Sequence, residues 1–112
     1  MTDKYKEIFR LKEMLEKAKI PFEFVDKTES WGDTMYQIGY PKLKRYKRVC
    51  SVVEGDYTLG CEVDLLDIKG LAINPTSTGN EGYLTAEEVF KRIKEHYEGV
   101  NNGSKQRNRK EN

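Results

Sequence analysis

The sequence contains very few of the residues on which most hydrolases and metalloproteins depend. It has one histidine, His96, and two cysteines, Cys50 and Cys61, among 112 residues. A Ser-His-Asp or Cys-His catalytic site would have to use His96. A closed zinc site needs four ligands, which usually lie closer together in the sequence than these residues do. We therefore predict no catalytic residue, no bound metal, no cofactor and no enzymatic activity, and we expect both cysteines to be free thiols.

Long apolar runs are also missing. No stretch approaches the roughly 18 apolar residues that a membrane-spanning helix needs. The first ten residues, MTDKYKEIFR, are charged from the third position, which argues against the apolar segment of a signal peptide. These features predict a cytoplasmic protein that has no membrane partner.

Net charge is nearly absent, because 20 Lys and Arg face 19 Asp and Glu. Whole-protein attraction to nucleic acid is therefore weak, and any electrostatic function must be regional. Residues 42–48 carry five bases and no acid, whereas residues 49–88 carry eight acids and one base, Lys69. This separation predicts a dipolar surface, which favours docking of a partner or pairing between copies of the chain as a homo-oligomer.

The apolar pattern predicts one α+β domain over residues 1–98. Apolar spacing of three to four predicts a helix over about 4–18, capped by Thr2 or Asp3 and ended by Pro21. Alternating apolar residues then predict antiparallel strands, with the third strand central and YTLGCEV either a short fourth strand or a loop. The strand segments are PFEFVD, MYQIGYP and RVCSVVEG.

The second half of the chain carries four further predictions. Asp64 is expected to cap a single-turn helix through Ile68, and residues 73–81 have the composition of a loop. Thr85 and Glu88 form a capping box that predicts a long helix to about residue 98. Residues 99–112 are predicted to be a disordered basic tail. The fold class is therefore a three- or four-stranded antiparallel sheet packed on an N-terminal and a C-terminal helix in two layers.

Several blocks of the sequence resemble an uncharacterised family of small phage and prophage proteins of Gram-positive bacteria. The blocks are LKEMLEKAKIPFEF, MYQIGYP, RVCSVVEG, DLLDIKGL and GYLTAEEVFKRI, within about residues 7–95. The resemblance implies an accessory protein in the host bacterial cytoplasm that binds and blocks a host or defence protein, such as a CRISPR nuclease. It implies no site residues.

Acidic residues cluster after the third strand, at Glu54, Asp56, Glu62, Asp64 and Asp67. Paired carboxylates can hold Mg²⁺ or act as acid and base, but this spacing matches no EF-hand or nuclease pattern. We expect a solvated acidic face.

The segment YPKLKRYKRVC is the main candidate binding site, and Trp31 is the second. Cations between two strands decorate a hairpin tip, where Tyr40 or Tyr46 could stack on a nucleic-acid base. Two other interpretations remain open: lysines that keep a sheet edge soluble, and cations that meet an acidic protein surface, perhaps one belonging to a nucleic-acid-binding complex. The candidate partner-binding residues are Trp31, Lys42, Lys44, Arg45, Tyr46, Lys47 and Arg48.

Overall fold

A computed structural model describes residues 4–29, 31–42 and 47–110, with side chains described as far as residue 100. One helix precedes five strands and a second helix follows them, so the α+β fold class is confirmed. The strand count is five rather than three or four. The elements are α1 (Glu7–Lys17), β1 (Glu23–Asp26), β2 (Met35–Tyr40), β3 (Cys50–Gly55), β4 (Leu66–Lys69), β5 (Asn80–Leu84) and α2 (Ala86–Lys110).

The five strands form one antiparallel meander in the order β1-β2-β3-β4-β5. The central strand is β3, as its apolar run predicts. Its Val52 pairs with Ile38 on β2 and with Ile68 on β4. These three side chains are almost completely buried, and they form a continuous apolar row across the middle of the sheet.

Both helices pack against the face of the sheet that carries this row. In α1, Ile8, Leu11 and Leu15 are fully buried, which confirms the predicted apolar stripe. In α2, Val89 and Ile93 are fully buried in the same core. Each such side chain contributes about 1.5–3 kcal/mol through removal of apolar surface from water, so burial in this layer is a large stabilising contribution.

The predicted short helix after Asp64 is wrong, because residues Leu66–Lys69 form strand β4. Leu66 and Ile68 alternate at period two and point into the core, and the carboxylate of Asp64 caps α1 instead of a local helix. The segment YTLGCEV consists of turns rather than a strand. The predicted loop at 73–81 ends early, since β5 begins at Asn80.

The predicted capping box at the start of α2 is confirmed. Thr85 N donates to Glu88 Oε1 over 3.0 Å, and Glu88 N donates to Thr85 Oγ1 over 3.1 Å. The helix continues through residues 99–110, where we predicted a disordered tail. Once a helix has begun, each further residue costs little, which offsets the poor propensity of Gly99 and Gly103. The domain boundary at residue 98 stays a prediction.

No helix in the described part of the chain is both long enough and apolar enough to cross a membrane.

Candidate interaction surfaces at the two ends of the sheet

Trp31 and the basic segment lie at opposite ends of the sheet. Trp31 precedes β2 and the basic segment follows it, and a six-residue strand is roughly 20 Å long. Antiparallel order places the loops 27–34 and 56–65 at one end and the loops 41–49 and 70–79 at the other. The predicted site residues therefore do not form one surface. Lys44, Arg45 and Tyr46 lie outside the described residues.

The first end, which we call the aromatic end, concentrates exposed apolar side chains. Among the described residues, seven large hydrophobic side chains are exposed, and five of these lie at this end. Trp31 and Tyr57 are the most exposed, at 71% and 75%. Apolar side chains gathered in this way are typical of a protein interaction site. The five residues are Trp31, Tyr57, Leu59, Val63 and Tyr83.

Asp33 holds the two most exposed rings at this end. Trp31 Nε1 donates to Asp33 Oδ2, and Tyr57 OH donates to the same oxygen over 2.7 Å. The hydrogen bond and the charge of Asp33 raise the pKa of Tyr57. Gly32 has a φ of 106°, a conformation that favours glycine, so the turn that joins Trp31 to Asp33 depends on it. Both rings are therefore oriented before any partner arrives.

Leu59 and Tyr83 are positioned by backbone constraints. Leu59 N donates to Asp67 Oδ2 over 2.9 Å, and a Cβ on Gly82 would come within 2.8 Å of the Leu59 side chain. Glycine at 82 thus allows Leu59 to lie against β5. Tyr83 has a φ of 64°, which is unusual for a bulky residue and costs about 1–2 kcal/mol. The fold accepts strain here at a residue whose ring is 60% exposed.

The acidic cluster at the same end is turned inward, so the predicted solvated acidic face is wrong for most of its members. Glu54 is completely buried and Asp67 is 7% exposed, while Asp56 and Asp64 are half-buried. Only Glu62 is exposed. Sequence spacing could not reveal this burial, because the groups that these carboxylates bind lie far along the chain.

Two of these carboxylates cap the N-terminus of α1. Asp64 Oδ1 accepts hydrogen bonds from Lys6 N over 2.8 Å and Glu7 N over 3.1 Å. Glu54 Oε1 accepts one from Ile8 N over 3.1 Å. The first amides of a helix have no partner within the helix, and its positive end attracts negative charge. The acids of the β3–β4 region therefore anchor α1 to the sheet.

The pKa values of Glu54 and Asp64 are shifted in opposite directions. Burial, followed by the hydrogen bond with Asp64, raises the pKa of Glu54 to about 9. Burial also acts to raise the pKa of Asp64, but hydrogen bonds from Glu54, Glu7 and Lys6 together lower it. Burial and the neighbouring carboxylate therefore favour the protonated form of Glu54, and both acids have a structural role in capping α1.

A metal site does not emerge from this cluster. Within residues 4–29, 31–42 and 47–100, no three His, Cys, Asp or Glu side chains are arranged to hold a metal ion. Cys50 is buried and Cys61 is half-buried, and both are free thiols. Burial raises the pKa of the Cys50 thiol to about 12, which keeps it from acting as a nucleophile at neutral pH.

The other end of the sheet, which we call the basic end, presents cations. Lys42 and Lys47 flank the β2–β3 loop and are exposed, and Arg48 is half-buried. Arg48 and Lys69 line an open cavity of about 350 Å³ together with Ser51. Cations and a hydroxyl around such a cavity suit phosphate or carboxylate groups.

The long helix α2 runs past this end of the sheet. His96 contacts Tyr40 at the last position of β2, so the helical residues 99–110 continue beyond the sheet. The basic end itself combines described cations from the β2–β3 loop and from β4.

Tyr40 cannot take the base-stacking role that its sequence position suggested. It is 3% exposed, and its hydroxyl forms a 2.8 Å hydrogen bond with Nδ1 of His96. The two rings meet edge to face with centroids 5.5 Å apart. His96 is half-buried, and its contact with Tyr40 joins α2 to β2.

Glu81 and Arg92 form an internal ion pair, which sequence analysis missed. Two parallel bonds of 2.9 and 3.1 Å join the guanidinium to the carboxylate. Glu81 Oε1 also accepts from Ile73 N over 2.7 Å and Asn74 N over 3.0 Å. These contacts, with the Arg92 hydrogen bond first, lower the pKa of Glu81 to about 2 despite its burial. The pair fixes the loop between β4 and β5 at the basic end.

Comparison with known proteins assigns the chain to no group. No family model matches the sequence, and no curated protein and no solved structure matches it either. The fold and the two ends are therefore the basis for any functional argument.

Proposed function

We propose that this protein is a non-enzymatic interaction protein that docks on a macromolecular partner through its aromatic end. The sequence resemblance supports a phage or prophage context in the bacterial cytoplasm. In that context the partner is a host or defence protein, and the chain acts by blocking it in the manner of an anti-CRISPR protein. The proposal of a host or defence protein as the partner rests on the sequence resemblance and not on the geometry of the site.

The observation that carries the docking role is the pair of exposed rings fixed by one carboxylate. Trp31 and Tyr57 both donate to Asp33, so a partner meets rings that are already ordered. Prior order matters because binding otherwise costs about 0.5–1.5 kcal/mol for each side chain that it immobilises. Trp and Tyr are also the residues that most often dominate binding energy at protein interfaces.

Capture of the partner tests this proposal. Tagged protein is incubated with lysate of the bacterium that carries the gene, and captured proteins are identified and quantified. We expect Trp31→Ala with Tyr57→Ala to reduce the specific captured protein at least tenfold. Ile73→Ala is the matched control, since Ile73 is 68% exposed but lies at the other end. Equal capture by the double variant would refute the assignment of the aromatic end.

A second candidate function, direct binding of DNA or RNA, rests on the basic end. Lys42 and Lys47 are exposed there, and Arg48 and Lys69 line the cavity with Ser51. Binding that neutralises four or five phosphates weakens steeply as salt rises. A gel-shift series with duplex DNA and single-stranded RNA measures that slope. If no shift occurs at low salt, this function is refuted, and the aromatic-end proposal is unaffected.

A further inference from the structure

We propose that the aromatic end binds the basic end of a second copy of the chain, so that copies associate head to tail. The inference goes beyond the proposed function, because it needs no host partner. It rests on two complementary surfaces that one chain presents at opposite ends of the same sheet.

The aromatic end carries exposed acids among its rings. Glu29 and Glu62 are exposed in the two loops of this end, and Asp33 lies between Trp31 and Tyr57. Lys4, Lys6 and Lys27 are exposed cations at the same end, but Asp26, Asp56 and Asp64 lie there as well, so acids exceed bases at this end. Aromatic faces beside carboxylates attract ammonium and guanidinium groups by cation–π and ionic contacts together. The chemistry of this end therefore fits a cationic surface.

The basic end of another copy supplies such a surface. Lys42, Lys47 and Lys69 are exposed there. The chain has a net charge of +1, so two copies repel each other only weakly as they approach. Separated charge of this kind orients the encounter even when the net charge is close to zero.

The acids of the aromatic end disfavour a symmetric contact between two aromatic ends. It would place Glu29, Asp33 and Glu62 of each copy against their equivalents, and like charges at an interface oppose association. A head-to-tail contact instead joins unlike surfaces and leaves one free aromatic end and one free basic end. Assembly can therefore continue beyond a dimer at high concentration.

Sedimentation velocity across a range of concentrations and salt tests the inference. At low salt we expect the weight-average mass of the wild type to rise at least twofold with concentration, and at high salt to return to that of the monomer. A wild-type mass that stays monomeric at every concentration at low salt would overturn the inference. It would leave partner capture by the aromatic end untouched.

Two variants separate the surfaces. Trp31→Ala with Tyr57→Ala removes the rings, and Lys42→Glu with Lys47→Glu reverses the basic end. We expect each variant alone to remain monomeric. An equimolar mixture restores one intact contact and should give a heterodimer and nothing larger.

A matched control excludes general effects of charge. Lys91→Glu with Lys94→Glu changes net charge equally on α2, where both lysines are exposed. This control should associate like the wild type. Continued self-association of either surface variant, or a mixture without heterodimer, would contradict the head-to-tail arrangement.

Discussion

The two ends of the sheet use the same residue types in opposite ways. At the aromatic end, Glu54 and Asp64 are drawn inward to cap α1, and the rings of Trp31 and Tyr57 remain outside. At the basic end, the Tyr40 ring is buried against His96, and Lys42, Lys47 and Lys69 are exposed.

The contrast shows that unsatisfied hydrogen-bonding groups inside a fold influence which charged side chains are exposed at its surface. The first amides of α1 have no partner within the helix, and this end of the helix is positive. These amides are therefore bound by two acids, Glu54 on β3 and Asp64 in the loop that follows. At the other end, the described lysines Lys42 and Lys47 are exposed. A run of charged residues in the sequence therefore indicates a charged surface only when those residues do not bind groups inside the fold.

The largest expected effect comes from breaking the internal ion pair near the basic end. Glu81→Ala leaves the half-buried Arg92 without its carboxylate and removes the acceptor for Ile73 N and Asn74 N. We expect a loss of about 3 kcal/mol in the free energy of unfolding, measured by urea denaturation. Glu13→Ala breaks the exposed Glu13–Lys17 pair and should leave the midpoint almost unchanged. A similar small change for Glu81→Ala would show that the internal pair is unimportant.

The next effect comes from the acid that caps α1 at the aromatic end. Asp64→Ala removes the acceptor for Lys6 N and Glu7 N, and we expect unfolding to become easier by about 2 kcal/mol. Amide hydrogen exchange should also accelerate in the first turn of α1. Glu62→Ala, in the same loop but exposed, is the control and should change neither quantity. Equal effects of the two substitutions would contradict the capping role.

The pH dependence of stability sharpens the comparison further. The pKa of Glu54 is raised from 4.5 to about 9, so its protonated carboxyl stabilises the fold fully below pH 4.5. That contribution is lost as pH rises towards 9. We expect Glu54→Gln, whose amide stays neutral and can donate, to flatten this decline and to be more stable than wild type by about 2 kcal/mol at about pH 8. Parallel pH profiles would show that Glu54 is ionised in the folded state.

Glu81 affects the pH dependence of stability in acid, with a sign opposite to that of Glu54. Its pKa is lowered to about 2, so its stabilisation is present above pH 4.5 and is lost as pH falls towards 2. The free energy of unfolding of the wild type should therefore fall both in acid and in alkali. Glu81→Gln should make it less dependent on pH in acid and leave its decline in alkali unchanged. Urea midpoints measured across pH test both limbs.

The smallest expected effect on stability comes from the exposed rings. Trp31→Ala should change the free energy of unfolding by less than about 0.5 kcal/mol, because the side chain is 71% exposed. A loss of several kcal/mol would show that Trp31 belongs to the core and would remove it as a free docking residue. The urea midpoint of this variant is the measurement.

Much of the fold follows from local sequence patterns. Apolar spacing predicted α1 and the antiparallel pair β2–β3, and Thr85 with Glu88 predicted the start of α2, because these signals lie within a few residues of each other. β4 was missed because Asp64 before Leu66 also resembles a helix cap. β5 was missed because its irregular pairing with β4 and the positive φ of Tyr83 interrupt the alternation that marks a strand.

The candidate surfaces were less predictable because they depend on distant contacts. Trp31 and the basic segment were found from composition, but their separation appears only once β2 is placed between them. Tyr57 was missed, since its link to Asp33 spans 24 positions and leaves no local signal. The burial of Glu54 was missed for the same reason, since its partner amide at Ile8 lies 46 positions away.

Hydrogen exchange of the protein bound to its captured partner tests the docking role of the aromatic end most directly. We predict slower exchange in loops 27–34 and 56–65 of the bound protein and little change in loop 70–79 at the opposite end. Protection confined to the basic end, with both aromatic-end loops exchanging as in the free protein, would contradict it.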